Sequence, residues 1–210
     1  MAGTALNWRT ARIVLGPGRF YANLGGSNDA PWDIPSGSRL LLHTDGSPES
    51  NQNPNAIHIG ITEGGEEWRV GTTRTDFRSD ELIDPVASRI TEQEVIISGS
   101  YQAIGDMDVA EIMLPTATRS DIGGAQGITF GSSNPTILYR SFAVIWPVEG
   151  STTEFHVFHV YKGYNDTGLA AQVSRTKLGA SPFAIRGYPI TTRTDGDYTC
   201  YFFRQVSGGS

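Results

Sequence analysis

The sequence predicts a mainly β, single-domain protein spanning residues 1–210: a β-sandwich or barrel with one short flanking α-helix and long loops. Three observations carry that expectation. Turn formers are abundant, with 25 Gly and 11 Pro in 210 residues. Between them, β-branched and aromatic residues gather in short runs. Several runs alternate apolar and polar residues with period two, as a half-buried strand does, and only one window has helical spacing.

The elements follow in chain order. Residues 1–10 read as an N-terminal arm, followed by a strand signal over Ala11–Leu15 that Gly16-Pro17-Gly18 closes. Residues 23–37 read as loop, and Arg39–Leu42 is a short apolar stretch. A long polar loop occupies 43–56; its Thr44–Asn55 run lacks an apolar anchor, which predicts a segment that is mobile or ordered by a partner. Ile57, Ile59 and Ile61 alternate with His58 and Gly60, and Glu63-Gly64-Gly65-Glu66 supplies turn residues before Trp68 and Val70. That pattern predicts a β-hairpin. After an acidic link over 76–89, a second alternating strand runs from Thr91 to Tyr101, with Val95, Ile97 and Tyr101 on one face.

The helix is predicted over 105–115. Asp106 caps it, Asp108 complements its dipole, and Val109, Ile112 and Met113 recur at helical spacing before Pro115 ends it. A Gly-, Ser- and Asn-rich loop covers Ser120–Pro135. Four strand-like runs close the chain: Ile137–Trp146, Glu154–Tyr161, Phe183–Tyr188 and Tyr198–Val206. Thr194-Asp195-Gly196-Asp197 reads as a hairpin turn between the last two, and 207–210 as a flexible tail. The first two of the four are apolar on both faces; in the first, Ile137, Tyr139, Ala143 and Ile145 fall on one side, and Leu138, Phe142, Val144 and Trp146 on the other. A strand apolar on both faces needs cover on both. Apolar residues are only 38% of the chain, so a neighbouring subunit is a reasonable source of that cover.

The formal net charge is −6. That argues against ordinary phosphate-backbone binding, which needs a basic face. The single cysteine, Cys200, builds neither a disulfide framework nor a cysteine zinc site, and reads as a buried strand thiol. The N-terminus lacks a secretory pattern and no 18-residue apolar run exists, so the chain is expected to be made and kept in a cytoplasm. On that reading the glycosylation pattern Asn165-Asp166-Thr167 is fortuitous.

No candidate for chemistry outweighs its plainer explanation. His156 and His159 lie three apart in a strand and so point to opposite faces, which prevents one metal from taking both. Asp106, Asp108 and Glu111 lack the alternating oxygen pattern of a calcium loop. Glu92 and Glu94 share a strand face, where a solvated pair is favoured over acid–base work. No phosphate loop or nucleophile elbow occurs. Trp8, Trp32, Trp68 and Trp146 are scattered, which favours packing roles. The expectation is a non-enzymatic protein without catalytic, cofactor or metal residues.

Residues Ile59–Ser100 carry a resemblance. They run from Gly60-Ile61-Thr62-Glu63-Gly64-Gly65-Glu66-Glu67-Trp68-Arg69-Val70 through the acidic link Ser79–Val86 to Ile90–Ser100, and the short helix Asp106–Leu114 follows. With Tyr161-Lys162-Gly163 and Arg186-Gly187-Tyr188-Pro189, this order resembles the major tail-tube proteins of long, non-contractile phage tails, over about residues 55–205. The resemblance implies a β-sandwich or barrel subunit that forms rings, usually hexameric, stacked into a hollow tube for genome delivery. It implies further copies of the chain as partners, together with tape-measure, tail-terminator and distal tail proteins. Double-stranded DNA would pass through the lumen without specific binding, no membrane would be involved, and the protein would reside in the virion after synthesis in a bacterial host. Glu92 and Glu94 would then be candidates for lumen-facing acids. The competing expectations are another β-rich virion component (a tail terminator, head–tail joining or head decoration protein) and a carbohydrate-binding β-sandwich using Trp32, Trp68 or Trp146. An unrecognised hydrolase is a more distant alternative.

Overall fold

A computed structural model of the chain describes residues 18–25, 39–61, 66–77, 87–101, 106–120, 123–131, 135–168, 180–193 and 199–206, with the side chains at 61, 74–77, 87–92 and 206 outside the description. The strands are β1 (Arg19–Ala22), β2 (Ile57–Ile61), β3 (Glu67–Phe77), β4 (Ala87–Tyr101), β5 (Thr118–Arg119), β6 (Ile128–Thr129), β7 (Arg140–Pro147), β8 (Glu154–Asn165), β9 (Ser181–Gly187) and β10 (Cys200–Val206). Among the described residues one helix, α1 (Met107–Met113), interrupts them. The fold is mainly β, as the composition predicts, and its strand pairings are antiparallel.

One large sheet has the order β2-β1-β7-β8-β9-β4-β3, and β10 also pairs with β8. β7 pairs along one side of β8. On the other side, β10 takes the first half, from Glu154 to Val160, and β9 takes Gly163–Asn165. β5 and β6 form a separate small ribbon.

The sheet is rolled. Phe20 of β1 stacks on Phe183 of β9 at 4.8 Å, although two strands separate them in the order. Three strand spacings in a flat sheet come to about 14 Å, so the sheet must curl to bring these rings together. Inside the roll lies the first core, with Phe20, Ile59, Val95, Ile97, Tyr101, Phe142, Val144, Phe158, Val160, Phe183 and Ile185. α1 plugs it with Val109, Ile112 and Met113. Burying each such side chain contributes about 1.5–3 kcal/mol. The helix starts as its sequence predicts: the Asp106 carboxylate accepts from the amides of Asp108 and Val109.

A second core sits on the outer face of β1, β7 and β8. Tyr21, Ala143, Ile145, Phe155, Val157 and Tyr161 face outward there and are covered by Leu24, Leu40 and Leu42. β7 therefore serves two cores, and its own chain covers both faces. The expectation that a neighbouring subunit supplies this cover is corrected here.

The segment over 43–56 is also unlike its prediction. It hydrogen-bonds to itself and lies over the outer core. His43 N–H donates to Ser47 O, Glu49 N–H to Leu41 O, and Ala56 N–H to Asn53 O. Asn53 is buried, accepting from Gly25 N–H and donating to Glu49 O. Gly46 has φ +84°, and a Cβ there would fall 2.5 Å from the Phe155 ring. Only glycine allows this close, left-handed passage over an aromatic face. Thus the segment is anchored by the buried side chain of Asn53, by buried Gly46 and Pro48, and by Ala56 packed against the outer core.

Two pairings differ from the sequence reading. β2 pairs with β1 and not with β3, so the strands on either side of residues 62–65 stand at opposite ends of the sheet order. β3 instead matches β4 over eleven residues, with Val70 opposite Val95 and Trp68 opposite Ile97, and this longer apolar ladder decides the partner. Likewise β9 and β10 do not pair as a hairpin; both lie along β8. The Thr194–Asp197 turn, the strand signal over Ala11–Leu15, the arm over 1–10 and the tail over 207–210 fall outside the described residues. β1 was hidden in sequence because a four-residue strand is too short to show a period.

Candidate functional site: an aromatic ladder beside an end strand

β3 and β4 form a long hairpin that only partly belongs to the rolled sheet. β4 meets β9 over Val95–Tyr101. Beyond that, the stretch from Ala87 to Glu94 pairs only with β3 among the described residues. β3 ends the strand order, and residues 67–70, 72 and 73 are exposed.

Trp68 faces the inside of the roll at this end. Its ring lies 4.7 Å from Phe158 and 5.2 Å from Phe202, tilted by 20° and 27°. Phe202 continues the ladder to His156 at 5.8 Å and Trp146 at 6.1 Å. Near-parallel rings this close overlap in offset stacks, so their faces are turned on one another. Even so, Trp68 is 38% exposed, Val70 41% and Phe202 47%. The roll is therefore open on this side and shows apolar edges to solvent. Glu154 and Arg204 form an ion pair on β8 and β10 next to it.

The opposite face of the hairpin is charged. Arg69 donates to Glu94 at 2.9 Å, Arg186 approaches Glu94 at 3.6 Å, and Arg186 also meets Asp166 at 3.2 Å. The four side chains make an alternating chain of charge across β3, β4, β9 and the end of β8. All are partly solvated, so each pair contributes about 0–1 kcal/mol. Glu94 is thus flanked by two arginines and presents little net negative charge. Glu92 lies opposite Thr73 in the ladder, and its side chain falls outside the description. Of the two acids singled out by sequence, only Glu94 has a described side chain, and it is engaged by Arg69 and Arg186.

The histidines behave as their spacing predicts. His156 stacks in the aromatic ladder, whereas His159 is buried on the other face against Tyr161 at 4.9 Å. Among the described residues, no group of three or more His, Cys, Asp or Glu side chains is placed to hold a metal ion. Asp108 pairs with Arg119, and Glu111 lies 4.0 Å from the buried Arg140. Cys200 packs against the inner core, and burial pushes its thiol up to about 11. His58 is pushed down, first by burial and then by the Arg19 charge. Trp8 and Trp32 lie outside the described residues. Among the described residues, no helix is long and apolar enough to cross a membrane.

Asn165 settles the glycosylation pattern. It is 1% exposed, and its amide nitrogen donates to Met113 O and Gly168 O. Its oxygen accepts from Ala184 N–H at 3.0 Å and the Thr167 hydroxyl at 2.9 Å. An amide engaged on every side carries no glycan in the folded protein.

No protein-family model matches the chain, and no curated protein matches it. The functional reading therefore rests on the surface just described and on the sequence resemblance.

Proposed function

We propose that this chain is a non-enzymatic structural subunit that self-assembles into stacked rings forming the hollow tail tube of a long-tailed phage. The single observation that carries the proposal is the β3–β4 hairpin: a long end strand, exposed at residues 67–70, 72 and 73, beside an open aromatic face. An end strand of this length presents unpaired backbone groups and invites another chain. Repeating one such contact around a closed ring removes every edge. The order of elements from Ile59 to Ser100, which resembles tail-tube proteins, points the same way. On this reading the partners are further copies, the tape-measure protein and the tail-end proteins, and DNA passes without binding because the chain is net acidic. Glu94 adds little to that repulsion, since Arg69 and Arg186 flank it.

The carbohydrate-binding reading has less support. A sugar stacks on open ring faces, and Trp68 and Trp146 each stack on Phe202. A single-ring virion component shares the end-strand argument and differs only in whether rings stack.

The test is sedimentation velocity on the wild-type chain and on Val70→Lys. Val70 is 41% exposed, so a lysine there is tolerated by the free subunit but sets a charge into the contact. The expected result is a large assembly for the wild type and a folded monomer for the variant. A wild type that stays monomeric at every concentration contradicts the proposal, as does a variant that assembles equally well.

A further inference from the structure

Three tyrosines meet at the junction of β7, β8 and β9. Tyr164 and Tyr188 stack with ring centres 5.5 Å apart and planes within 16°. Tyr188 Oη donates to Tyr164 Oη at 3.3 Å. Tyr139 stands edge-on to both, at 5.8 Å and 5.4 Å and tilted by 73° and 71°. Lys162 Nζ lies 4.5 Å over the Tyr139 ring. All three rings are half-buried: held in place, yet within reach of a small solute.

Tyr164 lies on β8, and Tyr188 directly follows β9, where its N–H donates to Lys162 O. Tyr164 is opposite Arg186 in the ladder, so Tyr188 is its diagonal neighbour, at a spacing that aromatic side chains bridge. The hydroxyl separation is shorter than the ring-centre separation, so the rings converge at their hydroxyl ends. The carbons beside those hydroxyls carry much of the unpaired spin of a phenoxyl radical. The pair is thereby arranged for carbon–carbon coupling, whereas edge-on Tyr139 is not.

We propose that Tyr164 and Tyr188 are an oxidative cross-linking site, at which a one-electron oxidant couples the two phenols into a dityrosine that ties β8 to β9. Each phenol gives up one electron to the oxidant and one proton to water. The two radicals join through their ortho carbons, and the product regains aromaticity by moving those ring protons to the oxygens. Two oxidant equivalents are reduced, and the chain loses two hydrogen atoms. Both rings belong to one chain, so the proposal stands apart from the assembly reading.

The test exposes the full-length protein to photogenerated tris(bipyridyl)ruthenium(III) with persulfate, and maps cross-linked peptides in the monomer band by mass spectrometry. The expected result is one dominant intrachain pair, Tyr164 with Tyr188, lighter by two hydrogens. Tyr164→Phe and Tyr188→Phe each abolish it while keeping the stacked ring, and Tyr139→Phe keeps it. The cross-linked fraction also melts at a higher temperature. Dityrosine that maps to other pairs, that forms only between chains, or that survives Tyr188→Phe overturns the assignment. So does oxidation of exposed tyrosines without any Tyr164–Tyr188 product.

Discussion

Asn165 shows how much one polar side chain can organise. It joins the end of α1, through Met113, to the end of β8 and, through Ala184, to the middle of β9. The sequence shows an Asn-x-Thr pattern there and suggests, at most, a surface modification. The buried role is not legible, because the partners are backbone atoms up to 52 positions away. Asn165→Ala leaves the Ala184 amide and two carbonyls short of partners, and each buried group left unsatisfied costs about 1–3 kcal/mol. The expected outcome is a marked fall in melting temperature with the sheet retained, read by thermal denaturation. A variant as stable as wild type would show that water replaces these bonds freely. Asp106 is the opposite case: its capping role is local, between residues two and three apart, and could be read directly from sequence.

At the scale of elements, the face partition of β4 and β7 was legible because alternation is a local pattern. Val95 with Ile97, and Phe142 with Val144, face the inner core as their spacing predicts. Pairing was not legible. Gly64-Gly65 signals a reversal but not which strands it joins, and β3 takes β4 because that ladder is longer and sets Trp68 and Val70 against apolar partners. The segment over 43–56 was misread for a similar reason. Its anchors are Asn53 and Gly46, residues that look like loop material until a buried amide and an aromatic ring are placed beside them. Hydrogen exchange tests this. The amides of His43, Glu49, Asn53 and Ala56 donate to backbone carbonyls and are expected to be protected well above the unfolded rate in the free subunit. Exchange at the unfolded rate across 43–56 would restore the mobile-loop reading.

At the scale of the whole molecule, the chain fills two cores from its own residues and still leaves one side of the roll open. The apolar economy that suggested shared burial is resolved by layering: one sheet, two faces covered. Among the described residues, the apolar surface offered to a neighbour includes the edges of Trp68, Val70 and Phe202 beside β3, and the separate exposed side chains of Leu41, Phe130 and Ile137. The net charge of −6 adds a constraint on any assembly, because like-charged copies repel until salt screens them, over about 8 Å at physiological ionic strength. Contacts between copies must therefore be short-ranged, as backbone pairing and ring packing are.

Negative-stain electron microscopy of the purified chain at rising concentration in moderate salt tests the central claim most directly. The account predicts hollow tubes of stacked rings that lengthen with concentration and are lost in Val70→Lys. A dispersed monomer under all conditions, or closed single rings that never stack, would contradict it.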